Sequence, residues 1–281
     1  MRLATFQSPT GPQAAVVASD ETLVPVAGLV AGAPSDMLGL IDAGPGLWDR
    51  IRAAASSARG GTPVRTVRLL APIPRPRRNV LCVGWNYVEH FEEGKSMRAA
   101  GAPQDMPKHP AFFSKQPNAV IGHGAEVWYS GHVSPQLDWE VELAAIIGAS
   151  GRDIPESEAL KHVFGYTVGN DVSVRDVQRD WHGGQWFKGK SFDTSCPLGP
   201  WIVTADELGD QRDLGRDGLG AGGRDHDGHP ARRGRRPQAT GVPAGWGRYG
   251  GGDRADRGAP QRHRAGAYAG VTPPTSVIAR A

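Results

Sequence analysis

Asp138-Trp139-Glu140-Val141-Glu142-Leu143-Ala144-Ala145-Ile146-Ile147 runs from three acidic residues straight into an apolar segment. Side chains two apart on a strand share a face. Glu140 and Glu142 are therefore expected side by side, with Val141 and Leu143 turned the other way into a core. Like charges held that close destabilise each other unless they face bulk water or share a cation. An oxygen-only cluster suits hard cations such as Mg²⁺, Mn²⁺ or Ca²⁺. From this stretch alone, a solvated strand face and a metal site stand level.

Downstream lie Gly169-Asn170-Asp171-Val172-Ser173-Val174-Arg175-Asp176-Val177-Gln178, then Gln185-Trp186-Phe187-Lys188-Gly189-Lys190-Ser191-Phe192-Asp193 and Cys196-Pro197-Leu198-Gly199-Pro200-Trp201. Upstream, Cys82-Val83-Gly84-Trp85-Asn86-Tyr87 precedes His90 and Glu93. Taken in this order, the motifs resemble the fumarylacetoacetate hydrolase family over about residues 70–208, and several independent motifs agree. The resemblance implies a mainly β fold with short helices: a mixed β-roll wrapped around a divalent metal.

It further implies Glu140, Glu142 and Asp171 as metal ligands, for Mg²⁺, Mn²⁺ or Ca²⁺. His90 and Glu93 would be a water-activating pair, Lys190 would reach the substrate, Gln178 would contact it and Arg175 would support the site. The implied reaction is hydrolytic C–C cleavage of an acylpyruvate-like or β-diketo acid by a cytoplasmic homodimer. Isomerisation or decarboxylation of the dioic acids of aromatic catabolism is the alternative. The small 2-oxo acid is then the partner, and neither nucleic acid nor membrane is expected. Lys115, Asp176, His162 and His182 receive no role.

Around this centre the chain divides in three. Residues 1–71 read as a small α+β region. Met1–Phe6 and Ala14–Ala18 suggest paired strands with Gly11-Pro12 in the turn, and Asp36–Ile41 and Leu47–Ala55 have helical spacing. Pro72, Pro74 and Pro76 mark a linker. Residues 72–210 form the metal-binding domain, with strands expected at Asn79–Gly84, Pro110–Lys115, Tyr166–Val172 and Trp201–Thr204 and a helix over Pro155–Phe164. Asn86 caps a short helix carrying His90 and Glu93, and Gly94–His109 reads as a lid-like loop. Cys82 and Cys196 lack a CxxC spacing and read as buried thiols rather than a disulfide. No run of about 18 apolar residues suggests a membrane span.

Up to Asp210 the net charge is −4; from Gln211 onward it is +7. The last 71 residues contain no Lys, Glu, Phe, Met or Cys, and 46 of them are Gly, Arg, Ala or Pro. With no apolar period, such a segment is expected to join no packed core. An Arg/Gly-rich tail binding nucleic acid by charge and an inert extension are two readings. The third is a shifted reading frame, because those four residues have codons written in G and C alone, and the family pattern breaks off here. On that reading the incomplete roll is an inactive remnant.

Overall fold

The computed structural model describes residues 1–85, 105, 107–129 and 131–208, together with the backbone of 261–264 and 277–279. Its strands are β1 (Arg2–Ser8), β2 (Gly11–Val17), β3 (Thr22–Pro25), β4 (Thr62–Pro63), β5 (Val80–Gly84), β6 (Ala111–Lys115), β7 (Val120–Ile121), β8 (Glu126–Tyr129), β9 (Leu137–Asp138), β10 (Val141–Ile147), β11 (Val163–Asn170), β12 (Ser173–Val174), β13 (Cys196–Thr204), β14 (Gln261–Arg264) and β15 (Val277–Ala279). One large sheet runs β4-β3-β2-β1-β13-β11-β10-β15-β5-β6, with β7 pairing β13 beside it. Most pairings are antiparallel; β15 on β10 and β7 on β13 are parallel.

The N-terminal strands pair as expected, but their turn is Pro9-Thr10, since Ser8 pairs Gly11 and Gln7 pairs Pro12. Gly11-Pro12 opens β2 instead. Both faces of the hairpin are covered. Leu3, Ala14 and Val16 enter one apolar cluster, while Ala4, Phe6, Ala15 and Val17 enter another with Leu23 and Leu69.

The first cluster is roofed by helices α1 (Val26–Leu29), α2 (Met37–Asp42) and α3 (Pro45–Ala55). Met37, Leu40 and Ile51 are buried there against Ile146, Phe164 and Ile202 of the central strands. Each such side chain contributes roughly 1.5–3 kcal/mol through burial. Asp36 caps α2 by accepting from the Gly39 N–H at 2.9 Å, and Pro45 opens α3 where its missing N–H costs nothing.

Three further expectations need correction. The sheet crosses the boundary placed at residue 71, because β1 pairs β13. The proline-marked linker is largely buried: Ala71 and Ile73 are core residues, and Thr5 Oγ1 donates to the Pro72 carbonyl at 2.6 Å. Pro155–Phe164 yields only the four-residue helix α4 (Glu156–Ala159) and a 3₁₀ turn at Leu160–His162 before β11 begins at Val163. Val163 and Phe164 are β-formers whose ladder with β10 outweighs the acidic helix start.

The tail also differs from its composition. Gln261–Arg264 pairs with β8, and Val277–Ala279 lies between β10 and β5. Val277-Ile278-Ala279 is an apolar triplet, the kind of segment an open ladder can take up without any longer period. The other helices among the described residues are α5 (Arg175–Arg179), α6 (Phe187–Lys190) and α7 (Ala205–Leu208), with 3₁₀ turns at Val64–Thr66 and Pro117–Ala119.

Candidate metal centre

Strand register builds the centre. Val141 pairs Asn170 and Glu142 pairs Gly169 across the β10–β11 ladder. One step beyond, the Asp171 N–H donates to the Glu140 carbonyl at 2.8 Å, and the Glu140 N–H donates to Asn170 Oδ1 at 3.1 Å. Glu140 and Asp171 are thus opposed at the ladder's end, while Glu142 faces a residue without a side chain. The three carboxylates each offer an oxygen within 4.8 Å of the others.

The face carrying these acids is covered, with Glu142, Ala144 and Ile146 buried, while on the other face Ala145 is buried and Val141 and Leu143, expected in a core, are half-buried. Buried charge requires charged partners, and the cluster has them. Lys190 Nζ, at the end of α6 and 2% exposed, donates to Glu140 Oε2 at 2.6 Å and to Asp171 Oδ2 at 2.7 Å. Arg175 Nε, at the start of α5, donates to Asp138 Oδ2 at 2.7 Å. Its two other nitrogens donate to Glu140 Oε1 and, at 3.0 Å, to Gln178 Oε1.

The electrostatics follow from this packing. Burial works against the charge of Glu140, but Lys190 and Arg175 outweigh it and hold the carboxyl well below its usual range. Burial likewise opposes the Lys190 ammonium, yet Asp171 and Glu140 raise its pKa. Arg175 is raised in the same way by Glu140 and Asp138.

The helices are set by contact. A Cβ at Gly189 would lie 2.5 Å from the Gln178 backbone nitrogen, so α6 approaches α5 closely and brings Lys190 alongside Arg175 and Gln178. Beyond Lys190, the Phe113 ring lies 5.0 Å from its ammonium, Trp186 packs edge-on against Phe113 at 5.6 Å, and Trp85 packs against Trp186 at 4.8 Å.

The structure therefore brings together Glu140, Glu142, Asp171, Lys190, Arg175 and Gln178. His90 and Glu93 lie outside the described residues, as does nearly all of the lid-like loop. Sequence reasoning passed over Lys115 and Asp138. Asp138 opens the acidic stretch and anchors Arg175. Lys115 ends β6 on the same strand parity as the half-buried Phe113, while Phe112 is exposed; a lysine on the inward parity was the available signal. Cys82 and Cys196 are free, buried thiols.

A divalent cation fits this donor set. Three convergent carboxylates are hard oxygen ligands. Asp138, Glu140, Glu142 and Asp171 set four negative charges against the three positive charges of Lys115, Lys190 and Arg175. A divalent ion would leave the cluster with one positive charge, suited to an anionic substrate.

Comparison with known proteins agrees with this geometry. The family model described as fumarylacetoacetate hydrolase C-terminal matches residues 79–217. The chain is 47% identical over 137 residues to the oxaloacetate tautomerase YisK of Bacillus subtilis (strain 168), covering 49% of this chain and 43% of that protein. Among solved structures it resembles a putative HpcE protein from Mycobacterium smegmatis, with a TM-score of 0.61 and 31% identity, covering 75% of this chain and 68% of that one. It also resembles maleylpyruvate hydrolase from Sphingobium sp. SYK-6, solved with manganese(II) and pyruvate, with a TM-score of 0.56 and 31% identity over 75% and 69% of the two chains. The chain spans about half the length of the curated relatives it matches first. Shared fold, shared motif order and these identities make the chain a member of the fumarylacetoacetate hydrolase family.

Proposed function

We propose that the chain is a divalent-metal-dependent enzyme that interconverts keto and enol forms of a small 2-oxo dicarboxylic acid of the oxaloacetate type. The observation that carries this reading is the convergence of Glu140, Glu142 and Asp171 within 4.8 Å, with Lys190 bridging two of them. The name of the Bacillus subtilis relative supports the choice of substrate class.

Glu140, Glu142 and Asp171 would hold the ion, with Mg²⁺ and Mn²⁺ the preferred candidates. When bound, it supplies a hard Lewis acid for the carboxylate and keto oxygens of a 2-oxo acid. Tautomerisation moves a proton between C3 and the oxygen on C2: C3 loses one as that oxygen gains one in enolisation, and the reverse in ketonisation. A proton-exchanging group is therefore needed beside the oxygen and a second, for which His90 is the candidate, beside C3. Lys190 is placed for the first: two of its three N–H groups are engaged by Glu140 and Asp171, and the third serves the substrate oxygen. Gln178, whose Oε1 is taken by Arg175, offers its NH₂ group to a substrate carboxylate. Arg175 binds no substrate on this reading; it fixes Gln178 and Glu140.

Hydrolytic C–C cleavage is the second reading, favoured by the likeness to a maleylpyruvate hydrolase. It would need a water activated by His90 with Glu93 orienting the imidazole. One assay separates the two. The purified chain, supplied with Mn²⁺, is given enol-oxaloacetate and, separately, an acylpyruvate. Metal-dependent loss of enol absorbance without acylpyruvate cleavage is expected. Cleavage alone would install the hydrolase reading, and turnover of either substrate would remove that of an inactive remnant. A homodimer is proposed as the working form, in the cytoplasm. Among the described residues no helix is long and apolar enough to cross a membrane.

A further inference from the structure

Lys115 is completely buried, on a strand that contributes none of the candidate ligands. Its Nζ lies 2.8 Å from Asp171 Oδ1 and donates to the Val172 carbonyl at 2.9 Å, to the Lys190 carbonyl, and to Ser195 Oγ at 3.3 Å. Ser195 Oγ in turn donates to the Lys190 carbonyl at 3.1 Å. We propose that Lys115 is a positioning residue, which orients the Asp171 carboxylate and seats Lys190 by holding the main chain on both sides of the centre.

A simple counter-ion for Asp171 would need Asp171 alone. Here two of the partners are backbone carbonyls, one next to a candidate ligand and one on the residue that carries the site ammonium. An ammonium has three N–H groups and no lone pair; with four acceptors around it, Lys115 is neither a ligand nor a base. Asp171 Oδ2 accepts from Lys190, and Oδ1 lies in ionic contact with Lys115 without accepting a hydrogen bond, so an ammonium faces each oxygen of the carboxylate. The neighbouring residues extend the clamp. The Gln116 N–H donates to Ser191 Oγ at 2.8 Å, and Asn118 Nδ2 donates to Asp193 Oδ1. The end of β6 is thereby fastened to residues 190–195. Groups that hold metal ligands in this way typically matter by 10–100-fold in metal affinity or activity.

The inference rests on the proposed metal centre, and the test keeps the two apart. Lys115→Met and the milder Ser195→Ala are compared with the parent chain well below each protein's melting temperature. Two measurements are made: Mn²⁺ affinity by calorimetry and amide hydrogen exchange. Expected for Lys115→Met are a loss of about 10–100-fold in Mn²⁺ affinity and faster exchange at residues 171–172 and 190–195, with β1 and β2 as protected as in the parent. Ser195→Ala should show the same pattern with a smaller amplitude, and it carries the test if Lys115→Met does not fold.

Unchanged Mn²⁺ affinity with unchanged local exchange overturns the inference. So does a loss of protection spread evenly over the sheet, which would make Lys115 a general scaffold residue. If the parent itself binds no Mn²⁺, the metal reading falls, and the exchange pattern alone decides whether Lys115 fastens these two segments.

Discussion

The two halves of the large sheet are packed by opposite means. On the β1–β2 side, helices α2 and α3 cover an apolar cluster of Leu3, Met37, Leu40, Ile51 and Ile202. At the β10–β11 end, only a smaller apolar cluster of Val80, Cys82, Val120, Ala144, Cys196 and Leu198 is buried, and beside it Lys115, Lys190 and Arg175 are set against four carboxylates. The first half is held by burial that no single contact dominates. The second is a set of desolvated charges, stable only while every member keeps its partner. Truncation on the apolar side should therefore cost stability alone, whereas on the polar side it should cost stability and chemistry together.

The sharpest break of that contrast is Asp171→Ala. It leaves Lys115 and Lys190, both at most 2% exposed, without their shared carboxylate. A loss of about 3–5 kcal/mol in unfolding free energy is expected, with Mn²⁺ binding abolished. Denaturant titration and calorimetry check the two parts; a stable variant that still binds Mn²⁺ would show that the polar half is not a cooperative charge set.

Leu40→Ala probes the other half. The expected cost is roughly 2–5 kcal/mol, read from the urea midpoint. Mn²⁺ affinity of the folded protein should stay at the parental value, and a matching fall in affinity would erase the distinction between the halves.

A pH series sharpens the same comparison. Burial pushes the Cys196 thiol up to about 12 from an ordinary 9.0, so the folded chain keeps a proton that the unfolded chain releases. Its contribution is complete below about pH 9 and lost as pH rises towards 12. Glu140 acts in the opposite direction. Although burial disfavours its charge, Lys190 and Arg175 depress its pKa below the ordinary 4.5, so its contribution is present above that value and lost as pH falls. Urea midpoints should form a plateau bounded on both sides. A flat profile from about pH 8 to about pH 11 would remove the thiol from the account.

The smallest effect is expected at the surface. Arg77 pairs with Asp42 through both terminal guanidinium nitrogens, yet both groups are exposed and water competes for them. Arg77→Ala should leave the thermal midpoint indistinguishable from the parent and Mn²⁺ affinity untouched.

Much of the apolar half was legible in the sequence. The strands expected at Met1–Phe6 and Ala14–Ala18 and the helical spacing of Asp36–Ile41 and Leu47–Ala55 appear as β1, β2, α2 and α3 with shifted ends. Boundaries failed where tertiary pairing overrode local preference, as at Val163-Phe164. In the polar half the motifs located the acids, Lys190, Arg175 and Gln178, because these residues lie in three contiguous stretches. Lys115 was missed because it acts across 56 residues from Asp171, and the parity it shares with Phe113 on β6 was its single local mark of burial. For Glu142 the strand stretch alone left a solvated face and a metal site level, because the cations of the centre lie far from it in sequence.

The β10–β11 register carries a consequence for folding fidelity. A slip of one residue would turn Val141 and Leu143 into the ring of charged groups and drive Glu142 to the opposite face. Neither arrangement is tolerable: Glu140 would lose Lys190 and Arg175, and apolar side chains would stand against those two cations. Misregistered chains are thus penalised twice by a single error, once for each face of the strand. The charge cluster acts as a proofreading device during folding, rejecting near-miss pairings that an all-apolar interior would accept.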